Sequence, residues 1–122
     1  MAKTIMVVDD SASLRQVVGI ALRGAGYEVL EGCDGKDALS KLQGQKVHLI
    51  ISDVNMPNMD GISFVKAVKA MPAYRFTPVI MLTTESAEAK KAEGQAAGAK
   101  AWVVKPFRPE VMLNAVQKLV LP

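Results

Sequence analysis

Four short apolar runs of this 122-residue chain end in polar residues of related kinds. Ile5-Met6-Val7-Val8 ends in Asp9-Asp10, and His48-Leu49-Ile50-Ile51 ends in Ser52-Asp53. Val79-Ile80-Met81-Leu82 ends in Thr83-Thr84, and Ala101-Trp102-Val103-Val104 ends in Lys105-Pro106. Gathered in one place, these are three carboxylates, one or two hydroxyls and an ammonium. Three neighbouring carboxylates repel, and either raised pKa values or a cation must offset that charge. A hard divalent cation such as Mg2+ takes oxygen ligands and keeps several waters, binding through one or two carboxylates plus a phosphate. Lys105 adds a second positive charge, and the Thr83 hydroxyl can donate to an anionic oxygen. The set suits a phosphoryl group: a carboxylate nucleophile, a metal bridging to phosphoryl oxygens, and donors for the rest. Taken singly, Asp9 and Asp10 read as strand-end or helix-capping residues, Thr83 as a strand-end Thr and Lys105 as a surface lysine. Their shared position at the ends of apolar runs is what joins them.

That position depends on the elements between. The four runs, with Glu28-Val29-Leu30, have the length and branched content of strands, and all but Glu28–Leu30 read as buried on both faces. Helical spacing separates them. Leu14, Val17, Val18, Ala21, Leu22 and Ala25 make one stripe, with Arg15 and Arg23 off it. Met112, Ala115, Val116 and Leu119 make another; Ala38, Leu39 and Leu42, and Ile62, Val65 and Val68, make shorter ones. Ser11, Asp34 and Asp60 stand where N-caps are wanted, Gly26 and Gly44 where a left-handed residue ends a helix, and Pro109 in a first helical turn. The order is (βα)5, which implies parallel strands with right-handed crossovers. Ligands of such sheets bind outside the carboxyl ends of the strands, near the switch point of strand order. The polar groups converge on that edge. The segment Asp53-Val54-Asn55-Met56-Pro57-Asn58-Met59-Asp60-Gly61 is a turn-rich loop stiffened by Pro57.

Composition narrows the function. Half the residues are hydrophobic and 5% are aromatic, so the chain carries an aliphatic core rather than a disordered tail. The length suits one domain across residues 1–122 with no output domain. Net charge is +3, too small and too scattered to argue nucleic-acid binding. No apolar run approaches the roughly 18 residues of a membrane span, and the start of the chain has no signal-peptide pattern. The single cysteine, Cys33, excludes an intrachain disulfide and a Cys-based zinc site. These features predict a cytoplasmic protein without direct nucleic-acid binding or membrane insertion.

The chain resembles a response-regulator receiver domain, in particular a stand-alone CheY-like chemotaxis regulator, over about residues 3–120. The resemblance rests on Val8-Asp9-Asp10-Ser11, on Asp53 with Asn55-Met56-Pro57 and Met59-Asp60-Gly61, on Thr83, and on Lys105-Pro106-Phe107. It implies a flavodoxin-like doubly wound α/β fold: a five-stranded parallel sheet of order 2-1-3-4-5 with helices on both faces. It also implies roles. Asp53 would accept the phosphoryl group, Asp10 would bind Mg2+ directly and Asp9 through water, and Asn55 would offer its backbone carbonyl. Thr83 and Lys105 would contact the phosphoryl group. Activation would move Thr83 toward the phosphate and swing the aromatic at position 102 inward. The donor would be a CheA-like histidine kinase and the target a protein docking on the face of the last two helices and the fifth strand. A phosphatase is a further implied partner. Such a module is not a metabolic enzyme, although it catalyses its own phosphorylation and dephosphorylation.

The chain departs from the family pattern in places. Position 102 is Trp where Tyr or Phe is more usual, and Val54 follows Asp53 where close flagellar relatives carry Trp. The segment Ser86–Ala99 has alanines but no large aliphatic residue, and Gly94 lies in its middle. Lys91 stands where the flagellar type has an aliphatic contact, which leaves the target of that face open. Two other functions fit parts of the pattern: a phosphate sink or phosphorelay intermediate without its own effector, and a Mg2+-dependent phosphohydrolase. The phosphohydrolase would need a second acid–base Asp near the nucleophile, where Asn55 stands, and a cap. His48 heads a strand without the surroundings of a phosphohistidine, Cys33 reads as incidental, and the seven methionines read as core filling, with Met56 and Met59 beside the site.

Overall fold

The structure, a computed structural model, describes residues 3–53, 59–83, 98–104 and 109–120. Five strands, β1 (Thr4–Val8), β2 (Glu28–Gly32), β3 (Leu49–Asp53), β4 (Val79–Thr83) and β5 (Ala101–Val104), form one sheet of order β2-β1-β3-β4-β5. All four pairings are parallel. The described helices are α1 (Ala12–Gly24), α2 (Gly35–Leu42), α3 (Gly61–Ala70) and α4 (Pro109–Leu119), with a 3-10 turn at Pro72–Tyr74. The helix expected within Ser86–Ala99 falls almost wholly on residues outside the described ones.

Strand alternation sorts the apolar side chains into two cores. Ile5, Val7, Leu49, Ile51, Ile80 and Leu82 point to one face, where Val18 and Leu22 of α1 and Met112 and Val116 of α4 cover them. Met6, Val8, Ile50, Val79 and Met81 point to the other, under Ala38 and Leu42 of α2 and Ile62, Phe64, Val65 and Val68 of α3. Helices on both faces explain why the central strands read as continuous apolar runs. Burying each large aliphatic or aromatic side chain stabilises by roughly 1.5–3 kcal/mol.

Two expectations need correction. β5 was expected to be buried on both faces, yet Ala101 and Val103 are half-buried. β5 is an edge strand with β4 as its one strand neighbour, as β2 is at the other edge. On α1 the buried stripe is narrower than the spacing suggests: Val18 and Leu22 are fully buried, whereas Val17 is 51% exposed and Ala25 is exposed. The helix meets the sheet along one line, and i+3 and i+4 neighbours at the margins of the stripe stay in water.

The helix boundaries follow the chemistry. The Ser11 Oγ accepts the Leu14 N–H at 3.2 Å, Asp34 Oδ1 that of Asp37 at 2.8 Å, and Asp60 Oδ1 that of Ser63 at 2.8 Å. At the end of α1, Gly26 takes φ +95°, and two bonds close the terminus: Gly26 N–H to Arg23 O at 3.0 Å and Tyr27 N–H to Leu22 O at 3.1 Å. The pair of bonds satisfies carbonyls that would otherwise lack partners, and the left-handed residue suits glycine.

The start of α2 carries a titratable reinforcement. Asp37 Oδ2 accepts the Cys33 N–H at 3.0 Å and pairs with Lys41 Nζ at 3.1 Å. The Cys33 bond first, and Lys41 second, hold this carboxyl below the ordinary carboxylate range. A carboxylate with a depressed pKa adds stability above its ordinary value, and that stability is lost as pH falls through the depressed one. Asp37→Asn is therefore expected to lower the melting temperature slightly at neutral pH and to flatten the acid limb of a melting-temperature profile. An acid limb as steep as the parent's would assign that sensitivity to other carboxylates.

Candidate functional site

β1 and β3 lie side by side although α1, β2 and α2 intervene in sequence. The chain leaves β1 toward β2 on one side and returns to β3 on the other, and a crevice opens at that switch point. Val8 is paired with Ser52, so the residues that follow, Asp9 and Asp53, come level at the carboxyl edge. Each stands at the mouth of the crevice.

Asp9 is 1% exposed and held by its backbone and its side chain. Its N–H donates to Gly32 O at 3.0 Å, and its Oδ1 accepts the Ser11 N–H at 2.8 Å. Its carbonyl accepts a bond from Arg15 Nη1 at 2.5 Å, while Arg15 Nε donates to Glu31 at 3.3 Å. Asp10 is exposed, one residue further along. Asp53 is buried at 6% exposure, and Ser52 Oγ donates to its carbonyl at 3.0 Å. One carboxylate oxygen from each of Asp9, Asp10 and Asp53 lies within 4.8 Å of the others. Ligands of one Mg2+, each at about 2.1 Å from the ion, stand up to about 4.2 Å apart. A small closure, or one ligand acting through water, fits this trio around a single cation. The donor set is all oxygen and anionic, which selects a hard divalent ion over softer metals.

The remaining predicted site residues are placed as follows. Asp53 pairs with Leu82, so Thr83 lies one step beyond it on the neighbouring strand. Thr83 pairs with Val104, the residue before Lys105, and Trp102 pairs with Met81. The side chains of Thr83 and Trp102 lie outside the described residues, as do Asn55 and Lys105. Backbone register thus brings Asp9, Asp53 and Thr83 to one edge, with Asp10 following β1.

His48 is at the opposite end of the sheet. Its Nδ1 accepts the Thr4 N–H at 3.0 Å and its own N–H donates to Thr4 O at 2.8 Å, so it clasps β1 to the start of β3. Cys33 is exposed. Met59 is half-buried against the α2–α3 core.

Two contributors were not legible as such. Arg15, read as the polar side of α1, is a half-buried clamp on the Asp9 carbonyl; its place in the first turn after Asp9-Asp10 was the available signal. Gly61 belonged to the motif, but its reason is steric. A Cβ there would lie 2.0 Å from the Asp53 carbonyl oxygen and 2.9 Å from Met81 Cε. Only a residue without one lets the start of α3 close on the end of β3.

Comparisons with known proteins agree with this geometry. The model of the response regulator receiver domain matches residues 5–117. Chemotaxis protein CheY1 of Helicobacter pylori is 39% identical over 115 residues, spanning 93% of each chain. The crystal structure of chemotaxis protein CheY4 of Vibrio cholerae is 50% identical, superposes with a TM-score of 0.94, and is matched over 98% of this chain and 99% of its own. A receiver domain of a sensor histidine kinase from Pseudomonas aeruginosa, solved with magnesium coordinated in its active-site cleft, is 26% identical with a TM-score of 0.90; the match covers 98% of each chain. The chain belongs to the response regulator receiver domain family and is of the CheY-like, two-component signalling type. The flavodoxin-like fold and its strand order 2-1-3-4-5 are those expected from the sequence.

Replacing Gly61 tests the close approach. Gly61→Ala forces a methyl group into the Asp53 backbone, and overpacking of this kind costs about 1–3 kcal/mol. Urea unfolding is expected to show that loss together with weaker Mg2+ binding, because the Asp53 strand end must shift. A variant as stable as the parent would show that α3 is free to retreat.

Proposed function

We propose that the protein is a phosphorylation-switched signalling module, with residues 1–122 forming one receiver domain and Asp53 the phosphoacceptor. The observation that carries this reading is the Asp9–Asp10–Asp53 trio at the switch point, with its oxygens within 4.8 Å of one another. The donor is a CheA-like histidine kinase. An Asp53 carboxylate oxygen forms the new P–O bond as the P–N bond of the kinase phosphohistidine breaks. The electron pair of that bond stays on the imidazole, which takes up a proton. Asp9, Asp10 and Asp53 would hold Mg2+, which would supply positive charge to offset the carboxylates and the transferring phosphoryl group. The exposed Asp10 suits a direct metal ligand, and Asp9, with one oxygen taken by the Ser11 amide, suits contact through water. In this reading Asn55 supplies a backbone carbonyl to the metal, Thr83 donates its hydroxyl to the phosphoryl group and Lys105 pairs with it. Dephosphorylation by water at the same site, alone or with a phosphatase, resets the module.

The output is protein docking. A cleft of about 510 Å3 between β5 and α4 is lined by Val103, Val111, Ala115 and Leu119 together with Lys100 and Lys118. Val111 is 49% exposed there. An unfilled apolar cleft on the expected docking face favours an effector over a pure phosphate sink. No helix among the described residues is long and apolar enough to cross a membrane. Chemotaxis or motility signalling is the setting that the relatives suggest.

Acetyl phosphate with Mg2+ is expected to label the parent protein and not Asp53→Asn. Labelling of Asp53→Asn at the parent's stoichiometry would overturn the assignment. Trp102, the single tryptophan, is expected to report activation. Its emission or quencher access should change when Mg2+ and beryllofluoride are both present, and Thr83→Ala should reduce that change without loss of Mg2+ binding. Identical emission and quenching in both states would remove Trp102 from the switch.

A further inference from the structure

Among the described residues, carboxylates gather at one end of the sheet and cationic side chains at the other. The carboxyl end holds Asp9, Asp10 and Asp53, with Asp34 and Asp60 capping helices that start there. At the amino end, Lys3 precedes β1, Lys46 precedes β3, Arg75 lies in the turn before β4, and Lys100 precedes β5. Lys69 adds its ammonium, bonded to the carbonyls of Arg75 and Thr77. Burial first, and the nearby Lys100 charge second, hold this lysine below its ordinary range. The acidic group at the start of β2, Glu28, accepts a bond from Thr4 Oγ1 at 3.4 Å.

A cleft of about 410 Å3 opens at this basic end, lined among others by Lys3, Lys46, His48, Phe76 and Leu119 and, among the described residues, by no carboxylate. A second cleft of about 470 Å3 shares Lys46, His48 and Ala73 with it and runs on to Gly44. The two clefts adjoin at these shared residues, and together they extend further than a single anion needs. Because His48 Nδ1 accepts the Thr4 N–H, the ring's N–H donor is at Nε2. Phe76 is 85% exposed, the largest exposure among the described large hydrophobic residues, with the Arg75 guanidinium carbon 4.9 Å from its ring centroid. An aromatic ring held beside cationic groups is a frequent anchor of protein interfaces.

We propose that this groove docks an acidic peptide segment of a partner protein. Its carboxylates would face Lys3, Lys46 and His48, and an apolar side chain would set against Phe76. Charge complementarity selects the sign of the occupant, and the concave, elongated shape selects a chain segment over a flat lipid surface. The site lies at the end of the sheet opposite Asp53, so docking and phosphorylation can coexist.

The probe is a fluorescent peptide of Asp and Glu residues with one Phe, followed by anisotropy against the full chain. Saturable binding that weakens with added salt is expected. Lys3→Glu combined with Lys46→Glu should weaken it by about ten-fold or more, and Phe76→Ser should weaken it as well. Both variants should unfold at the parent's temperature, and Asp53→Asn should bind as the parent does. Amide shifts should fall on Lys46, His48, Ala73 and Thr77. The proposal is overturned if the peptide does not bind saturably, if charge reversal leaves binding unchanged, or if shifts fall on α4 and β5 instead. It is equally overturned if phosphatidylserine vesicles bind where the peptide does not, or if a second copy of the chain proves to be the occupant in sedimentation.

Discussion

The parallel pairing of β1 with β3 is the constraint on which the rest of the molecule depends. Both strands are buried on both faces, so their register has little freedom; a slip of one residue would turn every core side chain to the wrong layer. With Val8 opposite Ser52, Asp9 and Asp53 are brought level and the acidic trio follows. The repulsion among those carboxylates is therefore imposed by the core and not relieved by it. The fold supplies the burial energy that holds like charges together, and such a cluster favours a cation.

Among the described residues, contacts to the backbone hold that edge in place. The Asp9 amide, carbonyl and carboxylate are all bonded to neighbours, through Gly32, Arg15 and Ser11. The Asp53 carbonyl is met by Ser52 Oγ and crowded by Gly61. These contacts fix where the carboxylates begin while leaving Asp10 in solvent. Arg15 reaches the site through a carbonyl, so its charge sits near the acidic trio without pairing with it directly. The salt bridges Arg15–Glu31 and Lys41–Asp37 lie at the surface or its margin, where such pairs contribute little on their own.

The sheet also separates charge along its strand direction. Among the described residues, Asp9, Asp10 and Asp53 lie at the carboxyl end and Lys3, Lys46 and Lys100 at the amino end, although the net charge of the chain is only +3. Strand ends are where polar residues can stand without interrupting a buried ladder, so both chemistries occupy the two rims of one apolar layer. The rims are separated from each other by the length of the strands, so charged groups at one end have little influence at the other.

Much of this was determined by the sequence alone. Apolar runs buried on both faces, helical stripes between them, and caps at Ser11, Asp34 and Asp60 were local patterns, and local patterns survive folding because they arise from backbone geometry and hydrogen-bond demand. The carboxylates at run ends were legible for the same reason. What only the tertiary structure decided involves neighbours distant in the chain. The half-burial of β5 follows from its place at the edge, and the exposure of Val17 from how α1 lies on the sheet. The clamp of Arg15 on Asp9 depends on a side chain folding back over the end of β1. The necessity of glycine at position 61 depends on the Asp53 carbonyl approaching from another element. No spacing encodes these contacts, because they are set by how closely packed layers approach one another in space.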